Sequence, residues 1–154
     1  MADQEFAVAT PRVSSGVIFS DDQSRILMLR TAYQIYWEIP GGDVKPGESP
    51  YAAAWREVRE KLGVDVPVGR MLGVDWEPGD AEGDKLLFLF EGSRLPADTA
   101  FPFTDGGVTE ARYVPAGELE SYTVARLARR VRAAMRDEPA AYFEYGELGI
   151  PLAT

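Results

Sequence analysis

The chain contains no cysteine and no histidine, and asparagine is missing as well. Without Cys no disulfide, thiolate nucleophile or iron–sulfur site can form. Without His there is no Ser–His–Asp triad, no imidazole base and no zinc site of the usual nitrogen or sulfur kind. Lysine is scarce, at three residues. Chemistry is left to carboxylates, Arg, Lys, Tyr, hydroxyls and oxygen-ligated metals, which points to Mg²⁺ or Mn²⁺.

Other absences narrow the class further. No apolar run approaches the ~18 residues of a spanning helix. The first residues, Met-Ala-Asp-Gln-Glu-Phe, lack the basic-then-apolar pattern of a secretory leader. With the missing Cys, this leads us to expect a cytoplasmic protein without membrane partners. Positive charge is also short, with Lys+Arg 16 against Asp+Glu 25 and a net charge of −9. Such a molecule repels a phosphate backbone, so nucleic acid is not an expected partner. What is present is ordinary: 154 residues, 45% hydrophobic and 27% charged, enough for one core. The chain reads as a single domain over 1–154, with 1–9 and 139–154 as terminal extensions.

Short strands are expected at 13–19 and 26–29, then Trp37-Glu38-Ile39 stopped by Pro40-Gly41-Gly42. Ser49 before Pro50 starts a helix that runs to Leu62 and ends at Gly63. Further strands fall near 68–76, 85–90 and 112–114, and a second helix spans about 123–136. On that helix Val124, Leu127, Val131, Ala134 and Met135 share one face. Arg126, Arg129, Arg130, Arg132 and Arg136 read as a solvated basic face. The acidic stretch 75–84 reads as solvated loop, and 139–154 as irregular. The aromatic tail (Tyr142, Phe143, Tyr145) is either a homodimer interface or a strap over the core. This order predicts an α/β fold with a mixed sheet sandwiched between helices, α/β/α.

The segment 42–64, GDVKPGESPYAAAWREVREKLGV, carries the chemistry. On the helix, Tyr51, Trp55, Val58 and Leu62 form an apolar stripe, and Arg56, Glu57, Glu60 and Lys61 project from the other side. Glutamates at i and i+3 beside a Gly-rich loop can hold a hard divalent cation. The same spacing also reads as a surface helix laced by the i,i+4 pairs Arg56–Glu60 and Glu57–Lys61.

In register, Gly42, Glu48, Arg56, Glu57, Val58, Glu60, Gly63 and Val64 resemble the Nudix hydrolase signature, with Trp37–Gly41 as its lead-in. The resemblance implies a Nudix fold and cleavage of the diphosphate in a nucleoside diphosphate derivative, with Mg²⁺ or Mn²⁺. Residue by residue it implies Glu57, Glu60 and a carbonyl at Gly41–Gly42 as metal ligands. Arg56 would orient the glutamates, and Glu48 would tie the loop to the helix. The proton acceptor is Glu57 or a later acid, Asp105 or Glu110, and either later acid can also serve as a ligand. Arg30, Lys45 and Gly41 are candidate substrate contacts, as are Tyr36, Trp76 and Arg112.

One signature position departs. The last glutamate is Lys61, a two-unit charge reversal beside the expected cation. At 4 Å the repulsion between two like unit charges is about 4 kcal/mol for an effective dielectric of 20, and a divalent ion doubles it. A second function therefore stays open, namely a Nudix-fold module, catalytically weakened or inactive, that binds a nucleotide or protein partner.

Overall fold

Alternating apolar residues build the centre of the sheet. Strand β1 (Arg12–Ile18) sends Ile18 to one side and Val17 to the other, and β2 (Arg25–Thr31) sends Ile26 and Met28 one way, Leu27 and Leu29 the other. The computed structural model describes residues 7–103, 107–136 and 139–148. The remaining elements are β3 (Gly41–Asp43), α1 (Pro50–Leu62), β4 (Val68–Glu77), β5 (Lys85–Gly92), β6 (Val108–Pro115), a 3₁₀ turn (Ala116–Ser121), α2 (Ala125–Ala134), β7 (Ala141–Glu144) and β8 (Glu147–Leu148).

Six strands form one mixed sheet in the order β3-β1-β5-β4-β7-β8, and β2 pairs with β6 in a second, antiparallel ladder. Within the larger sheet β1–β5 and β4–β7 are parallel, and the other pairs are antiparallel. Helix α1 buries Ala54, Val58 and Leu62 with Val17, Phe19, Leu27, Leu29 and Phe90. Helix α2 buries Leu127, Ala128, Val131 and Ala134 with Ile18, Ile26, Met28, Leu89 and Phe143. The two helices thus cover opposite faces, giving the expected α/β/α layering.

Helix α1 is bounded by its own sequence. The Ser49 hydroxyl accepts the Ala52 N–H at 3.0 Å, and Pro50 takes a first-turn position that needs no donor. At the other end Gly63 adopts φ 72°, and its N–H reaches the Arg59 carbonyl at 2.9 Å. The left-handed conformation there favours glycine. Tyr51 keeps its place in the expected apolar stripe, its ring packed edge to face on Trp55 and Phe90, while the residue stays partly exposed and its hydroxyl donates to the Val68 carbonyl.

Three local expectations need correction. Residues 37–39 do not form a strand. Glu38 makes one backbone bridge to Leu29, with N–H to carbonyl distances of 2.7 and 2.9 Å, and pairing with β1 resumes only at Gly41. Pro40 lies between and has no N–H to offer a ladder, so it serves through its carbonyl, which accepts from Val17. The stretch 139–148 is not irregular. β7 adds a parallel strand to β4 and buries Phe143, which is 0% exposed, so this aromatic residue packs inside the chain.

The third correction is electrostatic. Arg130 is not solvated but 4% exposed, and Asp75 is 0% exposed. The Arg130 guanidinium is bound to the carboxylates of Asp75 and Glu77 on β4. Position 130 is three residues after Leu127 and four before Ala134, which sets it on the inward side of α2 whatever its charge. The Gly146 N–H, between β7 and β8, closes on Asp75 at 3.1 Å. Nor is the rest of the basic face bare, since Arg126, Arg129 and Arg132 pair with Glu77, Glu147 and Glu120.

Removing one partner of a buried ion network leaves the others uncompensated. Arg130→Met is expected to lower stability by about 3–5 kcal/mol in urea denaturation. The double variant Arg130→Met/Asp75→Leu should recover a large part of the loss.

Candidate active site

Arg56 organises the exposed side of α1. Its guanidinium donates five hydrogen bonds, two of them side by side to Glu48 at 2.8 and 2.9 Å. The others reach Glu57 at 2.8 Å, Glu60 at 3.3 Å and the Asp43 carbonyl at 3.0 Å. A planar five-donor fork suits this role, and an ammonium could not replace it. The loop between β3 and α1 is thereby fastened down onto the helix. Glu48 also accepts the Lys45 N–H at 3.0 Å.

Glu57 is buried where β3 passes over α1. A Cβ at Gly42 would stand 2.5 Å from the Glu57 carboxylate, so only glycine lets the strand lie so close. The remaining ties are made by two buried serines of β1. The Ser14 hydroxyl donates to Asp43 at 2.8 Å, and Ser15 donates to the Pro50 carbonyl at 2.6 Å.

Lys61 follows Glu57 by one turn. Its ammonium lies 3.4 Å from the Tyr33 hydroxyl, 3.5 Å from Glu38 and 3.9 Å from Glu57. The Tyr33 hydroxyl itself donates to Glu38 at 3.1 Å. Beside this group opens a cleft of about 380 Å³, lined by Ser14–Gly16, Tyr33, Tyr36, Glu38 and Gly41–Asp43. Lys61, Lys85, Arg126 and Arg130 bring four cations to its wall beside the acids Glu38, Asp43 and Glu77, and Leu87, Val124 and Leu127 add apolar surface.

These surroundings move the ionisations. The Arg56 bonds, followed by the Lys45 N–H, hold Glu48 far below its ordinary value, at about 2. Burial pushes Glu57 up, against the opposing influence of Arg56 and Lys61. Burial disfavours the Lys61 ammonium, but Glu38, Tyr33 and Glu57 together raise its pKa.

The structure therefore gathers Gly41, Gly42, Glu48, Arg56, Glu57 and Glu60 at one place. It leaves others apart. Arg30 and Glu110 face each other across the β2–β6 ladder, outside the cleft, where Glu110 accepts from Arg112 at 2.6 Å. Lys45 is exposed and lies outside the cleft. Tyr36 lines the cleft, whereas Trp76 and Arg112 do not. Asp105 lies outside the described residues. Among the described residues no cluster of three acids forms a ready metal cage.

The comparisons with known proteins bear on this arrangement. A family model, the NUDIX domain, matches residues 10–135. The chain belongs to the NUDIX family. A human diphosphoinositol polyphosphate phosphohydrolase 3-alpha is 41% identical over 80 residues, covering 51% of this chain and 49% of that protein. The mouse protein of the same name is 34% identical over the same length. The chain spans about half the length of these curated relatives. Among solved structures, the E. coli ORF135 protein aligns with a TM-score of 0.66 at 22% identity, covering 86% of this chain and 96% of that one. An ADP-ribose pyrophosphatase from Streptococcus suis aligns with a TM-score of 0.64 at 16% identity, covering 88% and 99%. These structural likenesses establish the NUDIX fold. Nudix hydrolases as a class use divalent metals.

The charged and phenolic cleft residues that sequence reading did not assign to ligand contact are Tyr33, Glu38, Asp43, Lys61, Glu77, Lys85, Arg126 and Arg130. Glu38 sits within the lead-in to the NUDIX signature and was open to discovery. Lys85 and Arg126 arrive from β5 and α2, and no spacing announces them.

Glu48 supplies a pH test. Its pKa is lowered on folding, so its stabilising effect is present above the ordinary value of 4.5 and fades as pH falls toward about 2. Glu48→Gln should melt below wild type at pH 6, and the gap in Tm should close progressively between pH 4.5 and 2. A gap that persists unchanged at pH 2 would contradict this assignment.

Proposed function

We propose that this chain hydrolyses the diphosphate linkage of a nucleoside diphosphate derivative, with Mg²⁺ or Mn²⁺ as its cofactor. The observation that carries the reading is the convergence of Glu57 and Glu60 on one guanidinium nitrogen, with Glu57 beside Gly42 and Lys61, two residues that line the cleft.

The donor set suits a single hard cation. Glu38, Glu48, Glu57 and Glu60 bring four carboxylates around two fixed cations, Arg56 and Lys61. Two negative charges are left over, which a divalent ion would match. Mg²⁺ is commonly held by one or two carboxylates together with substrate phosphates, without an all-protein cage. Glu57, Glu60 and the backbone at Gly42 are the residues that would hold it. When bound, the ion would neutralise phosphate oxygens and favour attack at phosphorus.

The chain's own residues do the rest. Arg56 keeps both glutamates in place, and Glu48 keeps Arg56 in place. Lys85 and Arg126 offer positive charge to the diphosphate from other elements. Glu57 accepts a proton from the attacking water. The water oxygen forms a bond to one phosphorus, the bridging P–O bond breaks, and two phosphate products leave.

Lys61 beside Glu57 favours a second reading, a cleft that binds a nucleotide without turning it over. One assay separates the two. Wild type should hydrolyse at least one member of a panel of nucleoside diphosphate derivatives, ADP-ribose and diphosphoinositol polyphosphates when Mg²⁺ or Mn²⁺ is supplied. Glu57→Gln should lower kcat by roughly 100-fold or more, and EDTA should abolish turnover. A wild type silent on the whole panel, yet activated by Lys61→Glu, would establish the binding reading instead.

A further inference from the structure

We propose that Lys61 binds the ligand's diphosphate directly, so that the cleft takes pyrophosphate without any metal ion. The inference rests on the cleft being the diphosphate site, as proposed above, and deepens that reading.

Position comes first. Lys61 lies four residues after Glu57 on α1, which sets both on the same side of the helix, and its side chain lines the cleft. Lys61 also has unspent donor capacity. An ammonium carries three N–H donors, and charge-assisted bonds settle at about 2.7–2.9 Å. All three contacts of Lys61 are longer than that, at 3.4 Å to Tyr33, 3.5 Å to Glu38 and 3.9 Å to Glu57. The carboxylates keep the group charged and in place, while no short bond consumes it.

Lys61 does not stand alone. Lys85 lines the same cleft and forms no ion pair among the described residues. Arg126 lines it too, its buried Nε 3.5 Å from Glu77 and its guanidinium over the Tyr145 ring. Lys61 and Lys85, with donors to spare, thus share one cleft of about 380 Å³ with Arg126, Arg130 and the carboxylates of Glu38, Asp43 and Glu77. Glu38 also lines this space, so loss of the ammonium would leave a carboxylate unmatched against the phosphates.

The test uses the full chain in EDTA with inorganic pyrophosphate as the probe. Calorimetry should show binding to wild type, retained within a few-fold by Lys61→Arg and weakened by roughly tenfold or more in Lys61→Met. Because the chain has three lysines, ¹³C-lysine labelling gives few ε-carbon signals. The signal absent from Lys61→Arg should shift saturably in wild type. That spectrum decides the matter even if Lys61→Met does not fold. Absence of binding in EDTA, a Lys61 signal that stays fixed while pyrophosphate binds, or full affinity in a folded Lys61→Met would each overturn the proposal. Metal-free binding with no metal-supported turnover would sink the hydrolase reading alone, whereas turnover without metal-free binding would sink only this one.

Discussion

Arg56 is the joint through which the site is assembled. Its five hydrogen bonds reach the loop before α1, the backbone of β3 and two carboxylates of α1. None of these groups is brought together by the hydrophobic core, which lies on the other side of the helix. Without the guanidinium, Glu48, Glu57 and Glu60 would repel one another across a short distance, and the loop would lose its anchorage. Their mutual repulsion is what makes this side of α1, next to the cleft, receptive to positive charge. Arg56 restrains that repulsion without cancelling it.

Lys61 changes the balance of the same group. Where the family signature carries a further acid, this chain fixes a cation to its own backbone. A tethered charge needs no uptake from solution and cannot be chelated away. It also cannot polarise a phosphate as strongly as a divalent ion, and it has no open coordination positions for water. In the reading proposed above, the tethered cation holds the polyanion and the neighbouring acids recruit the ion that cleavage needs.

Much of this was open to the sequence. Ser49-Pro50 and Gly63 mark both ends of α1 by local chemistry, and the spacing of Gly42, Glu48, Arg56, Glu57 and Glu60 marks the site, because all of it lies within one short segment. Arg130 shows the limit. The sequence reading set it with the other arginines on a solvated face, and the partners that draw it inward, Asp75 and Glu77, sit on another element. The strand at 141–144 was hidden for a similar reason. Four residues carry little period of their own, and what makes them a strand is the waiting edge of β4. Lys85 and Arg126 were invisible as cleft residues because tertiary packing alone brings β5 and α2 to that wall.

The link between Asp75 and the Gly146 N–H spans 71 residues. On a ribosome adding about 5–20 residues per second, roughly 4–14 s separate the emergence of its two ends. The signature helix and its loop can form early in that interval. Helix α2, which carries Arg126 to the cleft and Arg130 to Asp75, emerges later, and β7 with the turn after it later still. During synthesis the chain therefore has its carboxylate cluster before it has a finished cleft wall. A nascent molecule presents an acidic surface before the cleft gains its basic side.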